Sequence, residues 1–127
     1  MTVQLNHTIV AARDKKASAS FMTEILGLSD PVPLGHFLAV RLDNNVTLDF
    51  MDSPGEIRSR HFAFLVSEAR FDEIFGRIRA RQIPYWADPR AQRPGEINHE
   101  NGGRGLYFAD PDGHYLEILT RPYDSSG

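Results

Sequence analysis

The sequence predicts an α+β fold built from two βαβββ modules, an internal pseudo-twofold repeat whose strands form a curved, cup-like mixed sheet with helices outside. Three observations lead there. The order strand, helix, strand pair occurs twice. Each time the opening strand carries a histidine, His7 and then His61. Each time the closing strand carries an acid four residues past a turn: Asp49 follows Asn45 and Glu117 follows Gly113. A repeat that extends to single polar positions as well as to element order marks two copies of one supersecondary unit. The modules span 4–52 and 60–120, within a single domain of 1–127.

Within the first module, Gln4 to Ala12 reads as a strand. Asp14 then opens a helix whose inner face is Ala17, Phe21, Ile25 and Leu28, with Gly27 as its stop. After Pro31-Val32-Pro33, His36 to Leu42 and Val46 to Met51 form a hairpin across Asp43-Asn44-Asn45, residues that tolerate the left-handed turn conformation. Asp52-Ser53-Pro54-Gly55 punctuates the chain. In the second module, His61 to Val66 is a strand. Phe71, Ile74, Phe75 and Ile78 mark the inner face of a helix from about Glu68 to Arg81, ended by Pro84. Short strands near Val32 and at Pro84 to Trp86 are weakly signalled. Ala87 to Gly103, rich in Pro, Gly and Asn, reads as a surface excursion of the kind that covers a site. Gly105 to Phe108 and His114 to Thr120 close the chain as a hairpin across Asp110-Pro111-Asp112-Gly113. The tail Asp124-Ser125-Ser126-Gly127 is expected to fray.

Composition narrows the function. With 41% hydrophobic and 24% charged residues, the chain of 127 residues can bury a core of its own. A formal charge of -3 with scattered Lys and Arg offers no basic field for nucleic acid. No apolar run is long enough for a membrane span and the N-terminus lacks a signal-peptide pattern, so a cytoplasmic location is expected. With no cysteine there is no disulfide, no thiolate nucleophile and no Cys-based zinc site. A metal would have to be held by His and carboxylate.

Side chains alternate along a strand, so Glu117 shares a face with Tyr115 and Leu119, opposite Leu116 and Ile118. Asp49 lies with Thr47 and Met51, opposite Leu48 and Phe50. His61 lies with Ala63 and Leu65, opposite Phe62 and Phe64. The bulky face suits the helices and the polar face the open side of the sheet. The alternation is poor for His7, which sits with Leu5 and Ile9 against Asn6 and Thr8. A pseudo-twofold would gather these polar side chains on one concave surface. Two imidazoles with one or two carboxylates suit one divalent Fe, Ni, Co, Mn or Zn ion and leave positions open for a substrate. His114 points away from Glu117 and reads as structural. His99, in the loop, reads either way.

Leu5-Asn6-His7, Ile25-Leu26-Gly27-Leu28, Arg60-His61-Phe62-Ala63-Phe64 and, most specifically, Phe108 to Glu117 resemble the vicinal oxygen chelate superfamily. That family includes glyoxalase I, extradiol dioxygenases, fosfomycin-modifying enzymes and bleomycin-binding proteins. The resemblance implies metal ligation by His7, His61 and Glu117. It also implies a small-molecule substrate that chelates the metal through vicinal oxygens, and a homodimer whose site draws on one chain or on both. Asp49 falls at a glyoxalase I ligand position but is a methylene shorter than the usual Glu, so it is a ligand, a base or neither. Tyr107 resembles a substrate-orienting tyrosine of the dioxygenase and fosfomycin branches. Arg104 and Tyr115 are expected to contact substrate. Ile9, in place of a threonine, and the loop Asn98 to Gly105 depart from the fosfomycin pattern. The stretch from Asn44 to Arg60 lacks an additional histidine common in dioxygenases. The leading expectation is a glyoxalase-I-like lyase or isomerase in which Asp49 or Glu117 moves a proton. The alternatives are Fe(II) extradiol ring cleavage assisted by Tyr107, and metal-free ligand sequestration.

Overall fold

The computed structural model describes residues 2–123, so the expectation for the tail falls outside the described residues. The chain divides into two compact units, Met1–Arg58 and Ser59–Gly127, parted just after the Asp52-Ser53-Pro54-Gly55 punctuation. The first unit contains β1 (His7–Ala12), α1 (Lys15–Leu26), β2 (Val32–Leu34), β3 (Phe37–Arg41) and β4 (Thr47–Asp52). The second contains β5 (His61–Leu65), α2 (Glu68–Ala80), β6 (Tyr85–Trp86), β7 (Gly105–Ala109) and β8 (Tyr115–Leu119), with a 3₁₀ turn at Glu100–Gly102. Each is a βαβββ module. The mixed sheet is realised as two four-stranded sheets, in the orders β1-β4-β3-β2 and β5-β8-β7-β6.

The repeat holds at the level of register. β1 runs parallel to β4 with His7 opposite Thr47 and Ile9 opposite Asp49. β5 runs parallel to β8 with His61 opposite Tyr115 and Ala63 opposite Glu117. In both modules the histidine is therefore paired two positions ahead of the acid, on the acid's own face. Antiparallel neighbours complete each sheet, placing Ala39 opposite Asp49 and Tyr107 opposite Glu117.

Local chemistry explains the element ends. Asp14 caps α1, its carboxylate accepting from the amides of Lys16 and Ala17, and Gly27 ends the helix at φ 71°. Ser67 caps α2 through the amide of Arg70, with Glu68 in the first turn and Arg77 and Arg79 in the last, as the helix dipole favours. Asn45 takes φ 65° in the first hairpin. In the second, Asp110 Oδ1 accepts from the amides of Asp112 and His114, at 2.9 and 2.8 Å.

Two sequence expectations need correction. The first strand begins at His7 rather than Gln4, with only the Asn6 carbonyl before it still accepting from the Thr47 amide of β4, at 3.0 Å. The buried face of α1 is Ser18, Ala19, Met22, Thr23, Ile25 and Leu26 rather than Ala17, Phe21, Ile25 and Leu28. Small hydroxyl residues turn inward because the helix itself satisfies them: Thr23 Oγ1 donates to the Ser20 carbonyl at 3.2 Å. On α2 the expected face holds, with Phe71, Ile74 and Ile78 buried and Phe75 half-buried against Phe71 and Tyr85. No helix among the described residues is long and apolar enough to cross a membrane.

The segment after β6 is pinned rather than loose. Buried Asn98 donates from Nδ2 to the Ala87 carbonyl at 2.8 Å and bridges to Gly105 through the backbone. The Asp88 carboxylate accepts from the amides of Arg90, Gln92 and Arg93 at 3.3, 3.0 and 2.7 Å. Desolvation acts to raise the Asp88 pKa, but the amides of Gln92, Arg93 and Arg90 outweigh it and hold the carboxyl below its ordinary value. A depressed folded value means that the stabilisation is present above the unfolded aspartate pKa and is lost as pH falls through the folded one. Limited proteolysis between Asp88 and Asn98 is therefore expected to accelerate on acidification, and Asp88→Asn to show the faster cleavage already at neutral pH.

Candidate functional site

Glu117 is the centre of the second unit's chemistry. It lies on the sheet face away from its apolar neighbours Leu116 and Ile118, yet is only 2% exposed. Rings enclose it. Tyr107 stacks on Tyr115 at 5.7 Å between centroids, and His61 lies 6.1 Å from Tyr107 and 6.2 Å from Tyr115. Trp86 extends the same wall, 6.1 Å from Tyr115.

The protonation of His61 follows from its partners. Its Nδ1 lies 3.0 Å from the Tyr115 carbonyl oxygen, which can only accept, so Nδ1 carries the proton. In the neutral ring Nε2 then presents a lone pair, and it faces Glu117 Oε1 at 3.1 Å. Two acceptors in contact need something positive between them, either a second proton on the imidazole or a cation. Two donors on adjacent positions of one metal, with bonds of about 2.0–2.2 Å, stand about 3 Å apart. The pair has that spacing. A backbone carbonyl fixing the tautomer is the usual support of a metal-ligating histidine.

In the first unit the corresponding link is not made. His7 Nδ1 lies 2.8 Å from Asn6 Oδ1 instead. Asp49 is 5% exposed and its Oδ1 has no hydrogen-bond partner. An aspartate is a methylene shorter than the glutamate at the equivalent register position, so it reaches less far from the same strand. Among the described residues no three His, Asp or Glu side chains gather as a metal-holding group.

Other residues singled out in the sequence take definite places. Tyr107 is buried and its hydroxyl lies 3.1 Å from that of Tyr123. Burial, more than the nearby Glu117 charge, raises the Tyr107 pKa and keeps it a phenol, a donor rather than a base. Tyr115 is likewise raised by burial. His114 is fully buried and its Nδ1 accepts from the Arg60 amide at 3.0 Å, a structural role. His99 is exposed beside the 3₁₀ turn. Trp86 and Tyr123 were not anticipated. Trp86 was detectable as the residue opposite Tyr107 in register, whereas Tyr123 lies past the last strand, where no periodicity reaches it.

Arg104, expected to contact substrate, is engaged within its own unit. Its Nε and Nη1 donate to Glu68 and Asp72, both at 2.8 Å, and its guanidinium lies 4.4 Å from the Phe71 ring centre. All three partners are on α2. The arginine pins the loop to the helix, and Asp72 chiefly holds it above its ordinary pKa.

The Glyoxalase/Bleomycin resistance protein/Dioxygenase superfamily profile matches residues 4–118. The chain belongs to this superfamily. It is 64% identical to a solved structure named Oxidase ChaP-H2, covering all of both chains at a TM-score of 0.97. It is 60% identical to Oxidase ChaP-H1, covering 98% of this chain and all of that one, at a TM-score of 0.96. It is also 30% identical over 125 residues to a glutathione transferase FosA of Serratia marcescens, covering 93% of this chain and 81% of that protein.

Arg104→Ala is expected to lower the thermal midpoint by about 2–5 °C, the scale of a partly exposed ion-pair cluster. Arg104→Lys recovers little of it, because a single ammonium cannot span Glu68 and Asp72. A scanning calorimetry comparison of the three proteins checks this.

Proposed function

We propose that the chain is a metal-dependent, oxygen-using enzyme of its superfamily, an oxidase or ring-cleaving oxygenase acting on a small substrate with vicinal oxygens. One divalent ion is held by His7, His61 and Glu117. The observation that carries the reading is the His61–Glu117 pair: with Nδ1 bonded to the Tyr115 carbonyl, Nε2 is the ring atom turned to a buried carboxylate oxygen, at 3.1 Å. The names of the relatives at 60% and 64% identity support oxidation over other reactions. When bound, such an ion supplies Lewis acidity and, as Fe(II), redox chemistry toward oxygen, with two His and one carboxylate leaving positions open. The protein's own part is to bind and orient. Tyr107, kept protonated, gives its one proton to the Tyr123 oxygen, since Tyr123 itself donates to Glu117, and turns it to a substrate oxygen only on releasing Tyr123. Tyr115 and Trp86 wall the site and exclude water.

A second reading, a glyoxalase-type lyase or isomerase, is favoured by one observation, the buried Asp49 oxygen without a partner. There Asp49 is the proton carrier. Oxygen uptake separates the two. Purified without tag or chelator, the protein is expected to contain stoichiometric metal that His61→Ala and Glu117→Ala lose, and to consume oxygen with catechols. Bound metal without oxygen uptake turns the reading to the lyase. Neither metal as isolated nor uptake when offered leaves a ligand-binding module.

The working unit is a homodimer. Ile9, 43% exposed, accompanies His7 on the edge strand of one sheet, with Leu5, 67% exposed, just before that strand, and Leu65, 62% exposed, accompanies His61 on the edge strand of the other. We place His7 of one protomer with His61 and Glu117 of its partner. Mixing His7→Ala with His61→Ala protein under exchange conditions then restores about one quarter of the metal sites, since half the dimers are hybrid and each has one intact site. Sites built within one chain restore none.

A further inference from the structure

Tyr123 stands beyond β8 and is 54% exposed as a residue, yet its hydroxyl reaches Glu117, which is 2% exposed. It donates to Glu117 Oε2 and lies 3.1 Å from the Tyr107 hydroxyl. The two oxygens of Glu117 therefore have separate partners: Oε1 faces His61 Nε2 and Oε2 is taken by Tyr123. We propose that Tyr123 is a positioning residue, and that residues 120–123 are a strap holding Glu117 so that only Oε1 is presented to the metal. The inference rests on the metal reading given above.

The strap has a built seat. The Thr120 amide donates to the Arg104 carbonyl at 2.9 Å, and the Arg104 amide donates to Thr120 Oγ1 at 2.8 Å. A side chain at Gly103 would meet Thr120 Oγ1 at 2.5 Å and Arg121 Cγ at 2.8 Å, so the segment packs directly on backbone that only glycine leaves open. Because Arg104 is itself fixed to α2, the base of the strap is tied to the helix. A carboxylate with one oxygen unpartnered can turn and bind a metal through both. A hydroxyl on Oε2 removes that freedom and keeps one more coordination position for substrate.

Cobalt(II) alone is the probe, because its visible absorption reports the number of ligands. On the full chain, Tyr123→Phe is expected to keep the wild-type circular dichroism, weaken Co(II) binding about tenfold to hundredfold and change the intensity of the visible band. His61→Ala binds no Co(II). If Tyr123→Phe matches wild type in affinity and spectrum while His61→Ala loses the ion, the strap is structural only and the metal site stands. If wild type itself takes up no Co(II), the metal reading fails and the positioning role fails with it.

Discussion

A parallel strand pair in fixed register, with a histidine on one strand and an acid two positions further along the other, is the constraint on which the functional account depends. In the second unit it sets His61 beside Glu117, and the strand on the far side, β7, brings Tyr107 up against the same acid. Slipping that register by one residue would turn His61 and its neighbours to the opposite face. The apolar residues Leu116 and Ile118, fully buried, are what forbid the slip. Core packing thus fixes the register, and the register fixes the chemistry.

The same arrangement shows how one module can be copied and then diverge. His7 and Asp49 occupy the register positions of His61 and Glu117, but the shorter acid leaves His7 to Asn6 and its own Oδ1 without a partner. A buried carboxylate oxygen lacking a donor is unfavourable by itself, so Asp49 costs the first unit stability that Glu117, with both oxygens partnered, does not cost the second. One module joins its histidine to its acid and the other keeps the two apart.

Much of this was legible in the sequence because period-two alternation and turn residues speak directly about faces. The acid-after-turn spacing located Asp49 and Glu117, and the Asp110-Pro111-Asp112-Gly113 turn was read correctly down to the glycine at φ 84°. The inner face of α1 was misread because Thr23 turns inward with its hydroxyl bonded to the helix's own Ser20 carbonyl, which a hydrophobic pattern cannot register. Arg104 was placed near the site but not in its partnership with Glu68 and Asp72, since ion pairs between a loop and a helix depend on tertiary geometry. Tyr123 carried no signal at all, being a lone aromatic in a polar tail.

The central claim is that His61 Nε2 and Glu117 Oε1 face one another because they share a metal ion. The measurement that meets it most directly is anomalous diffraction from crystals of the metal-loaded protein, collected on both sides of the metal's absorption edge. The account predicts a single strong peak within about 2.2 Å of both atoms, with His61 Nδ1 still bonded to the Tyr115 carbonyl. A fully loaded crystal with its peak elsewhere, and with His61 still hydrogen-bonded to Glu117, would contradict it.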